Sequence, residues 1–368
     1  MRILRGKVTA TALAAGLVLS LSQLLPAQAF TPPGGHRPNP SYEWEPAPTG
    51  STSQFRGLAA VSADVAWVAG SAGQVLRTTD GGKSWQNVSP PGAGALLFRD
   101  VEAFGPDRAV VLAIGVGEDS RVYRTADGGR TWSETFRNPD PNAFYDCLDF
   151  NDSRHGLALS DPVDGKFRII ATSDGGRSWR VQSGEGMPAA LPGEFAFAAS
   201  GTCLVAGPGR SAWFATGGGD RPRVFRTLDG GRTWKVTDSP MASGPAAGIF
   251  SLAFHGPRAG VAVGGDFLRP NEAVDAASVT RDGGRTWTLV PAAQAPKGYR
   301  SGSAFVPGTL GTVVAVGPSG SDVSFDGGWS WTQFDDGTFD SVECAGHGPK
   351  SACWASGAQG RVARLTAG

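Results

Sequence analysis

The stretch Thr78–Trp85, TTDGGKSW, recurs five more times along the chain and decides how it folds. The other copies are TADGGRTW (125–132), TSDGGRSW (172–179), TLDGGRTW (227–234), TRDGGRTW (280–287) and SFDGGWSW (324–331). Successive copies are spaced by 47, 47, 55, 53 and 44 residues. A repeat of this size, filled with short apolar strands and glycine turns, predicts the blades of a β-propeller.

Each copy has the composition of a tight hairpin turn. Asp-Gly-Gly suits a turn that needs positive φ, and the Asp carboxylate can accept hydrogen bonds from its own loop. The Ser/Thr hydroxyls can tie the loop ends together, and six of the eleven tryptophans close the motif, where they can pack between adjacent sheets. We therefore predict that the motif aspartates are structural rather than catalytic. They are Asp80, Asp127, Asp174, Asp229, Asp282 and Asp326.

The number of blades follows from the predicted innermost strands. These are FRGLAAV (55–61), FRDVEAF (98–104), FYDCLDF (144–150), EFAFAAS (194–200), IFSLAFH (249–255), SGSAFVP (301–307) and FDSVECA (339–345). The last unit stops before a fourth strand, and Ser41–Pro46, with Trp44 at the motif tryptophan position, can supply it. We predict an all-β fold: a single seven-bladed propeller of four-stranded blades closed by the N-terminal strand, with six blades as the alternative.

The N-terminus has the layout of a secretory signal peptide. Arg2, Arg5 and Lys7 precede an apolar stretch, and Ala27-Gln28-Ala29 is a small-x-small cleavage signature. We expect residues 1–29 to be a cleaved signal peptide, 30–40 to be a flexible lead-in and 41–368 to be the propeller. The mature protein is then secreted or periplasmic, without a membrane span; no lipid-accepting cysteine follows the apolar stretch, so it is not a lipoprotein.

The charge balance and the residue types of the chain indicate which partners and cofactors to expect. The chain carries 33 basic and 33 acidic residues, and this balance gives no support for binding nucleic acid or an anionic membrane. The four histidines have no metal-ligand spacing, and no glycine-rich string follows a strand and opens a helix. We therefore expect no cofactor, no metal and no nucleic-acid partner, and a monomer.

The four cysteines form an even set in an exported chain, which allows two disulfides. Cys344 and Cys353 bracket the hairpin AGHGPKSA and can face each other across neighbouring strands. Cys147 and Cys203 lie on or near innermost strands of adjacent blades, so a second disulfide is possible there.

The motif resembles the Asp box of the BNR/Asp-box superfamily, which includes sialidases, xyloglucan-cleaving enzymes and the photosystem II stability/assembly factor family. The single signal-bearing propeller is most similar to the last of these. Segments such as SDPVDGKF (160–167) and VGGDF (263–267) also resemble secreted bacterial relatives that are often called oxidoreductases. Sialidases would imply a Phe/Tyr-Arg-Ile-Pro segment, from which Phe55-Arg56-Gly57-Leu58 departs, and the xyloglucan enzymes use a cleft between two propellers.

Propeller topology sorts the loops onto two faces. The motif turns share one face, the turn face, with the loops between first and second strands. This face carries basic residues, among them Lys83, Arg130, Arg177, Arg232 and Arg285 in the turns and Arg108, Arg154, Arg210 and Arg258 in the loops. The remaining loops, including long insertions at 183–194 and 265–278, share the opposite face, the mouth face, where propellers commonly bind ligands.

The mouth face collects carboxylates, hydroxyls and a Tyr-Arg pair, which is the chemistry of a polar pocket. The candidate ligand-binding residues are Asp146, Asp161, Asp164, Glu194, Asp266, Tyr299, Arg300 and Asp322. Tyr299-Arg300 stands out because a turn needs neither bulky side chain, and we expect Arg300 to be exposed. We predict a binding or assembly module for a protein or glycan ligand at this face. The alternative is a glycan-active hydrolase that uses two of these carboxylates.

Overall fold

A computed structural model describes residues 39–346 and 348–368. The predicted signal peptide and nearly all of the lead-in lie outside the described residues. The chain forms seven four-stranded antiparallel sheets, with short 3-10 turns at Ser71–Gly73, Gly117–Asp119, Gly184–Gly186 and Gly348–Lys350. Within the described part of the chain, no helix has the length and apolar character needed to cross a membrane.

The strands run in chain order, and each blade takes four of them. The closing strand is β1 (Tyr42–Pro46). Blade 1 contains β2 (Phe55–Ala60), β3 (Ala66–Gly70), β4 (Val75–Thr78) and β5 (Gln86–Asn87). Blade 2 contains β6 (Leu97–Ala103), β7 (Ala109–Ile114), β8 (Arg121–Thr125) and β9 (Ser133–Arg137). Blade 3 contains β10 (Tyr145–Phe150), β11 (Gly156–Val163), β12 (Lys166–Thr172) and β13 (Arg180–Val181).

The second half repeats this plan. Blade 4 contains β14 (Leu204–Ala206), β15 (Ala212–Ala215), β16 (Arg223–Thr227) and β17 (Lys235–Asp238). Blade 5 contains β18 (Ala247–His255), β19 (Ala259–Asp266), β20 (Ala277–Thr280) and β21 (Thr288–Leu289). Blade 6 contains β22 (Gly302–Phe305), β23 (Val313–Gly317), β24 (Gly320–Ser324) and β25 (Thr332–Asp335). Blade 7 contains β26 (Ser341–Ala345), β27 (Ala352–Ser356) and β28 (Val362–Ala367), with β1 as its fourth strand.

The innermost strands form a closed ring, in which β2, β6, β10, β14, β18, β22 and β26 each contact the next and β26 contacts β2. The prediction of seven blades is confirmed, and the six-bladed alternative is wrong. One innermost strand was predicted in the wrong place: EFAFAAS (194–200) precedes β14, which is Leu204–Ala206. In the earlier segment Phe195 makes only an isolated bridge, with Gly217, and Phe197 stacks on Phe250 of the next blade at 3.7 Å between ring centroids.

The N-terminal strand closes blade 7, as predicted. β1 pairs antiparallel with β28 in the sheet order β1-β28-β27-β26, with Trp44 opposite Leu365. Trp44 also reaches blade 6, where its indole N–H donates to Ser321 Oγ at 2.9 Å and its ring lies 5.9 Å from that of Phe334. The strand therefore completes a sheet edge and one inter-blade contact at the same time.

The six Asp-Gly-Gly turns share one hydrogen-bond pattern, seen at Asp80. Thr78 Oγ1 donates to Asp80 Oδ1 at 2.8 Å and accepts from the Gly82 N–H at 2.9 Å, while the Ser84 N–H donates to Asp80 Oδ1 at 3.0 Å. Bonds from the Ser84 hydroxyl and N–H hold the pKa of Asp80 at about 2. Gly81 and Gly82 have φ of 75° and 84°, a region that side chains disfavour.

Aromatic contacts join neighbouring blades behind these turns. The fully buried Trp67 of blade 1 meets Trp132, the turn tryptophan of blade 2, edge-on at 6.5 Å. Trp354 of blade 7 meets Trp85 of blade 1 at 6.1 Å in the same way. Such edge-to-face pairs stabilise the interface beyond the apolar area they bury.

Both predicted disulfides are present. Cys344–Cys353 links directly opposed residues of β26 and β27, with a Cα–Cα distance of 4.0 Å. Cys147–Cys203 joins β10 to the segment before β14, so it fastens blade 3 to blade 4, and its Cα–Cα distance is 6.3 Å. Two disulfides indicate an oxidising compartment, periplasmic or extracellular.

We expect Trp44→Ala to lower the free energy of unfolding by about 2–3 kcal/mol, somewhat less than for a fully buried tryptophan because this side chain is partly exposed. The protein loses stability because the substitution removes the contacts of Trp44 with Ser321 and Phe334 across the interface between blades 7 and 6. Urea unfolding measures it, with Glu43→Ala on the exposed side of the same strand as the matched control, which should stay within about 0.5 kcal/mol of the parent. A Trp44→Ala protein as stable as the parent would contradict closure by β1.

Candidate functional site

The mouth face contains a pocket of about 550 Å³ at the centre of the ring. Its walls come from the innermost strands and from the loops that precede them. The lining residues are Gln54, Arg56, Phe197, Ala198, Ala199, Phe250, Phe267, Tyr299, Pro318, Thr338, Phe339, Asp340 and Ala358. Blades 1, 4, 5, 6 and 7 all contribute, so the pocket exists only in the closed ring.

β-Bulges in the innermost strands help to aim side chains at this centre. The pairing shifts between Phe55 and Gly57 in blade 1 and between Ile249 and Ser251 in blade 5. In each case the unpaired residue, Arg56 or Phe250, lines the pocket. Corresponding bulges leave Arg99 and Asp146 unpaired in blades 2 and 3. An extra residue in a strand re-aims its side chain, which explains this placement.

The charged groups of the pocket lie at the seam between blades 7 and 1. Arg56 Nη2 lies 3.3 Å from Asp340 Oδ1, and the Gln54 side-chain amide donates to Asp340 Oδ2 at 2.9 Å. Arg99 lies behind Ala198 and donates to its carbonyl at 2.9 Å. Burial, together with the nearby Arg56, lowers the pKa of Arg99 to about 10. Arg56 and Asp340 are thus the charged side chains among the residues that line the pocket.

An aromatic wall faces these charges. Tyr299 is buried and meets Phe250 edge-on at 4.7 Å, and Phe250 stacks on Phe197. Phe267, at the start of the long β19–β20 loop, completes the wall at 6.1 Å from Phe250 and is 44% exposed. Leu268 and Val274 of the same loop are 73% and 54% exposed, so the apolar surface continues outward from the pocket.

Of the residues predicted to form the site, Tyr299 lines the pocket. Arg300 was expected to be exposed, and this expectation is wrong: it is fully buried and forms an ion pair with Asp322, which is also fully buried. Arg300 Nε donates to Asp322 Oδ2 at 2.6 Å, and Nη1 donates to Ser319 Oγ at 2.8 Å. The pair fastens the loop before β22 to β24, which is a structural use of both side chains.

Glu194 forms a second buried ion pair, with Arg223. Its Oε1 accepts from Arg223 Nε at 2.9 Å and from Thr216 Oγ1 at 2.6 Å, and its Oε2 accepts from the Leu191 N–H at 2.8 Å. These bonds occupy both carboxylate oxygens and fix the long loop before β14. Glu194 therefore holds a wall of the mouth face and does not line the pocket.

The other four candidates lie apart from the pocket. Asp161 accepts from the Ala196 N–H at 2.9 Å, and burial raises its pKa to about 6. Burial and the neighbouring Asp161 raise the pKa of Asp146 as well. Asp164 is an exposed turn residue with φ of 53°, and Asp266 accepts from Arg269 Nε at 2.9 Å.

Below the pocket, a cavity of about 250 Å³ in the ring contains four carboxyl groups. Three bridge neighbouring innermost strands: Asp100 accepts from the Leu148 N–H, Asp149 from the Ala206 N–H and Glu343 from the Ala60 N–H, at 2.7, 2.7 and 2.8 Å. Burial raises the pKa of Asp100 to about 8 and that of Asp149 to about 7. Among the residues described, no cluster of three or more His, Cys, Asp or Glu side chains is placed to hold a metal ion.

Sequence reasoning missed most of the pocket: Arg56, Phe197, Phe250, Phe267 and Asp340 were not among the candidates. A usable signal is present in the repeat. In four innermost strands an aromatic or large apolar residue comes just before the bulge, and the next residue is Arg56, Arg99, Asp146 or Phe250. Aligning the repeats at the bulge, rather than at the turn, places these residues on one level of the ring.

Comparison with known proteins shows the fold. No protein-family model and no curated protein sequence matches the chain. A solved structure of YCF48 bound to D1 peptide aligns with a TM-score of 0.60 and 16% identity, over 87% of this chain and 94% of that one. YCF48 from Cyanidioschyzon merolae aligns with a TM-score of 0.55 and 17% identity, over 87% and 98%. The GH74 enzyme of Niastella koreensis aligns at 0.45 and 12%, over 86% and 66%.

The buried Arg300–Asp322 pair predicts a stability effect. Arg300→Met should lower the free energy of unfolding by about 3–5 kcal/mol, because it leaves Asp322 buried without a partner. Asp322→Asn in the Arg300→Met background should recover part of the loss. Urea unfolding of the parent, the two single variants and the double variant gives the coupling energy. Additive effects of the two substitutions would rule out the pair as the cause.

The cavity carboxyl groups predict a pH dependence. Because folding raises the pKa values of Asp149 and Asp100 from 3.8 to about 7 and 8, the free energy of unfolding should fall as pH rises through this range. Glu102, whose pKa is raised by burial and then by the charges of Asp149 and Glu343, makes no hydrogen bond to any described residue. Glu102→Gln should therefore stabilise the protein by about 1 kcal/mol at pH 8 and little at pH 5.

Urea unfolding at the two pH values tests this effect. The exposed Glu185→Gln is the matched control and should follow the parent at both values. Stability that rises between pH 5 and pH 8 in the parent would contradict the assignment of these carboxyl groups as protonated in the folded state.

Proposed function

We propose that this protein is a secreted binding or assembly module that takes a segment of a partner protein into the pocket of the mouth face. The observation that carries the proposal is the pocket itself, in which an aromatic wall stands opposite an arginine–aspartate pair at the centre of the ring. Pockets that combine apolar walls with a few fixed polar groups are the usual form of a binding site. A large apolar side chain fits against Phe197, Phe250 and Phe267, and a carbonyl or carboxylate oxygen of the segment fits near Arg56.

The surroundings of the pocket favour a polypeptide over a glycan. The exposed Phe267, Leu268 and Val274 extend the apolar surface for several residues beyond the pocket, as needed for consecutive side chains of an extended segment. The mouth-face loops carry eleven acidic and five basic residues, which suits a partner segment with basic flanks. The neighbour YCF48 is bound to a peptide, which agrees with a protein partner for this propeller.

Hydrolysis of a glycan has less support. Glycoside cleavage needs an acid and a second carboxylate at a set separation. Asp340 is the single carboxylate among the residues that line the pocket, and it is already paired with Arg56. Glu194 and Asp322 are held in buried ion pairs, and Asp266 is bound by Arg269. These three carboxylates thus hold loops in place.

A peptide array probed with the protein tests the proposal. We expect enrichment of peptides that contain a large apolar residue with basic residues nearby. Phe267→Ala should weaken binding to a selected peptide at least tenfold, because a buried aromatic contact at an interface commonly contributes about 2 kcal/mol or more. Arg56→Gln should weaken it as well. Isothermal titration measures both affinities.

The matched control is Val116→Ala, since Val116 is 63% exposed on the mouth face but does not line the pocket. It should bind the peptide like the parent, and all variants should be checked by thermal melting. An array without peptide hits, or equal affinities for the parent and Phe267→Ala, would overturn the proposal. Release of sugar from a glycan by the parent would establish the hydrolase instead.

A further inference from the structure

The long β19–β20 loop (267–276) carries part of the aromatic wall of the pocket. Its first residue, Phe267, packs edge-on against Phe197 and Phe250, and these contacts leave much of its ring in solvent. The next residue, Leu268, is exposed. Because apolar packing covers so little of these side chains, the position of the loop depends on its hydrogen bonds.

One backbone carbonyl of this loop is bonded to the next blade. The Pro270 carbonyl oxygen accepts from the Tyr299 N–H at 2.9 Å and from the Ser319 hydroxyl at 2.8 Å. The first donor lies in the loop before β22 and the second in the turn between β23 and β24, so both belong to blade 6. Phe267 lies in a turn that ends one residue before Pro270 and is closed by a backbone hydrogen bond of 3.0 Å, so a shift of Pro270 moves Phe267 as well.

The buried Arg300 determines which way the Ser319 hydroxyl points. Arg300 Nη1 donates to Ser319 Oγ at 2.8 Å and to the Tyr299 carbonyl at 2.9 Å. Its Nε donates to the buried Asp322. A guanidinium group can only donate, so the hydroxyl oxygen accepts from it and the single hydroxyl proton is left for the Pro270 carbonyl. The chain of bonds that begins at Asp322 therefore has one direction throughout.

The approach of the loop to blade 6 is too close for any side chain at Gly298. A Cβ atom there would lie 2.3 Å from the Pro270 carbonyl oxygen and 2.7 Å from Ser319 Oγ, and Gly298 has φ of 136°. Glycine is the residue that permits both this distance and this backbone conformation. The contact between the loop and its donors is thus built into the sequence on both sides.

We propose that Arg300 is a positioning residue of the pocket. Acting through Ser319, it holds the β19–β20 loop at Pro270, and the loop in turn places Phe267 against the bound segment. The inference rests on the proposed function, because it gives a role in that same site to a side chain that is fully buried and does not touch the ligand. A buried ion pair adds little stability over apolar residues of similar volume, whereas apolar residues cannot orient a hydroxyl.

Hydrogen exchange of the protein without ligand tests the positioning. Ser319→Ala removes the hydroxyl and leaves the buried ion pair intact. The amides of 267–276 should then exchange about fivefold faster, the factor by which the loss of one hydrogen bond commonly shifts an equilibrium. The matched control is Ser211→Ala on the turn face, since that hydroxyl also donates to a proline carbonyl, Pro208, at 2.8 Å. It should leave exchange in 267–276 unchanged. Parent-like exchange in Ser319→Ala would overturn the positioning role and leave the proposed function standing.

Binding of a peptide selected on the array tests the link to Phe267. Ser319→Ala should weaken binding about fivefold in the parent and have little effect in the Phe267→Ala background, because the hydroxyl acts through that ring. The double variant Arg300→Met/Asp322→Asn removes the ion pair without leaving a buried charge, and it should weaken binding to a similar extent. Thermal melting confirms that each variant is folded.

The two ways in which the inference can fail are distinct. Additive losses from Ser319→Ala and Phe267→Ala, or equal affinities of Ser319→Ala and the parent, would overturn the positioning role while peptide binding itself stands. An array without hits would overturn the proposed function and, with it, the role of Arg300 in binding.

Discussion

The pairing of β1 with β28 is the constraint on which the rest of the molecule depends. Each blade contacts two neighbours, so a ring with one open blade would leave a sheet edge and an inter-blade face in water. This edge is covered because β1, near the start of the described residues, is the fourth strand of blade 7. Trp44 of β1 also contacts blade 6. The Arg56–Asp340 pair of the pocket spans the adjoining seam between blades 7 and 1. Closure and the candidate site are therefore coupled.

The two faces divide structural and binding roles because their loops differ in what fixes them. On the turn face, a repeated eight-residue motif satisfies its own hydrogen bonds, so each turn is fixed locally. On the mouth face, the long loops are fixed by individual pairs such as Glu194–Arg223 and Arg300–Asp322. The polar side chains in those pairs are bonded to each other and do not line the pocket. Several pocket residues instead lie at β-bulges, which direct their side chains inward.

The sequence predicted what is local or repetitive. The turns, the count of seven blades, the closing strand and the disulfides follow from spacing and from residue types that act within a few positions. The pocket residues could not be predicted from the sequence, because the burial of a side chain depends on contacts between blades. Arg300 in a loop looks exposed until Asp322, on a later strand, is placed beside it. EFAFAAS looks like a strand because alternation is the same whether Phe197 faces a sheet interior or stacks on another blade.

Net charge sums over the whole molecule, whereas a partner meets one face. Thirty-three positive and thirty-three negative residues give zero in the sequence, yet the mouth-face loops carry eleven acidic and five basic residues, whereas the loops and turns of the turn face carry nine acidic and eleven basic ones. The consequence is a mouth face that is more acidic than the turn face, and hence an electrostatic dipole along the propeller axis. Such a dipole orients the protein over any charged surface before contact is made.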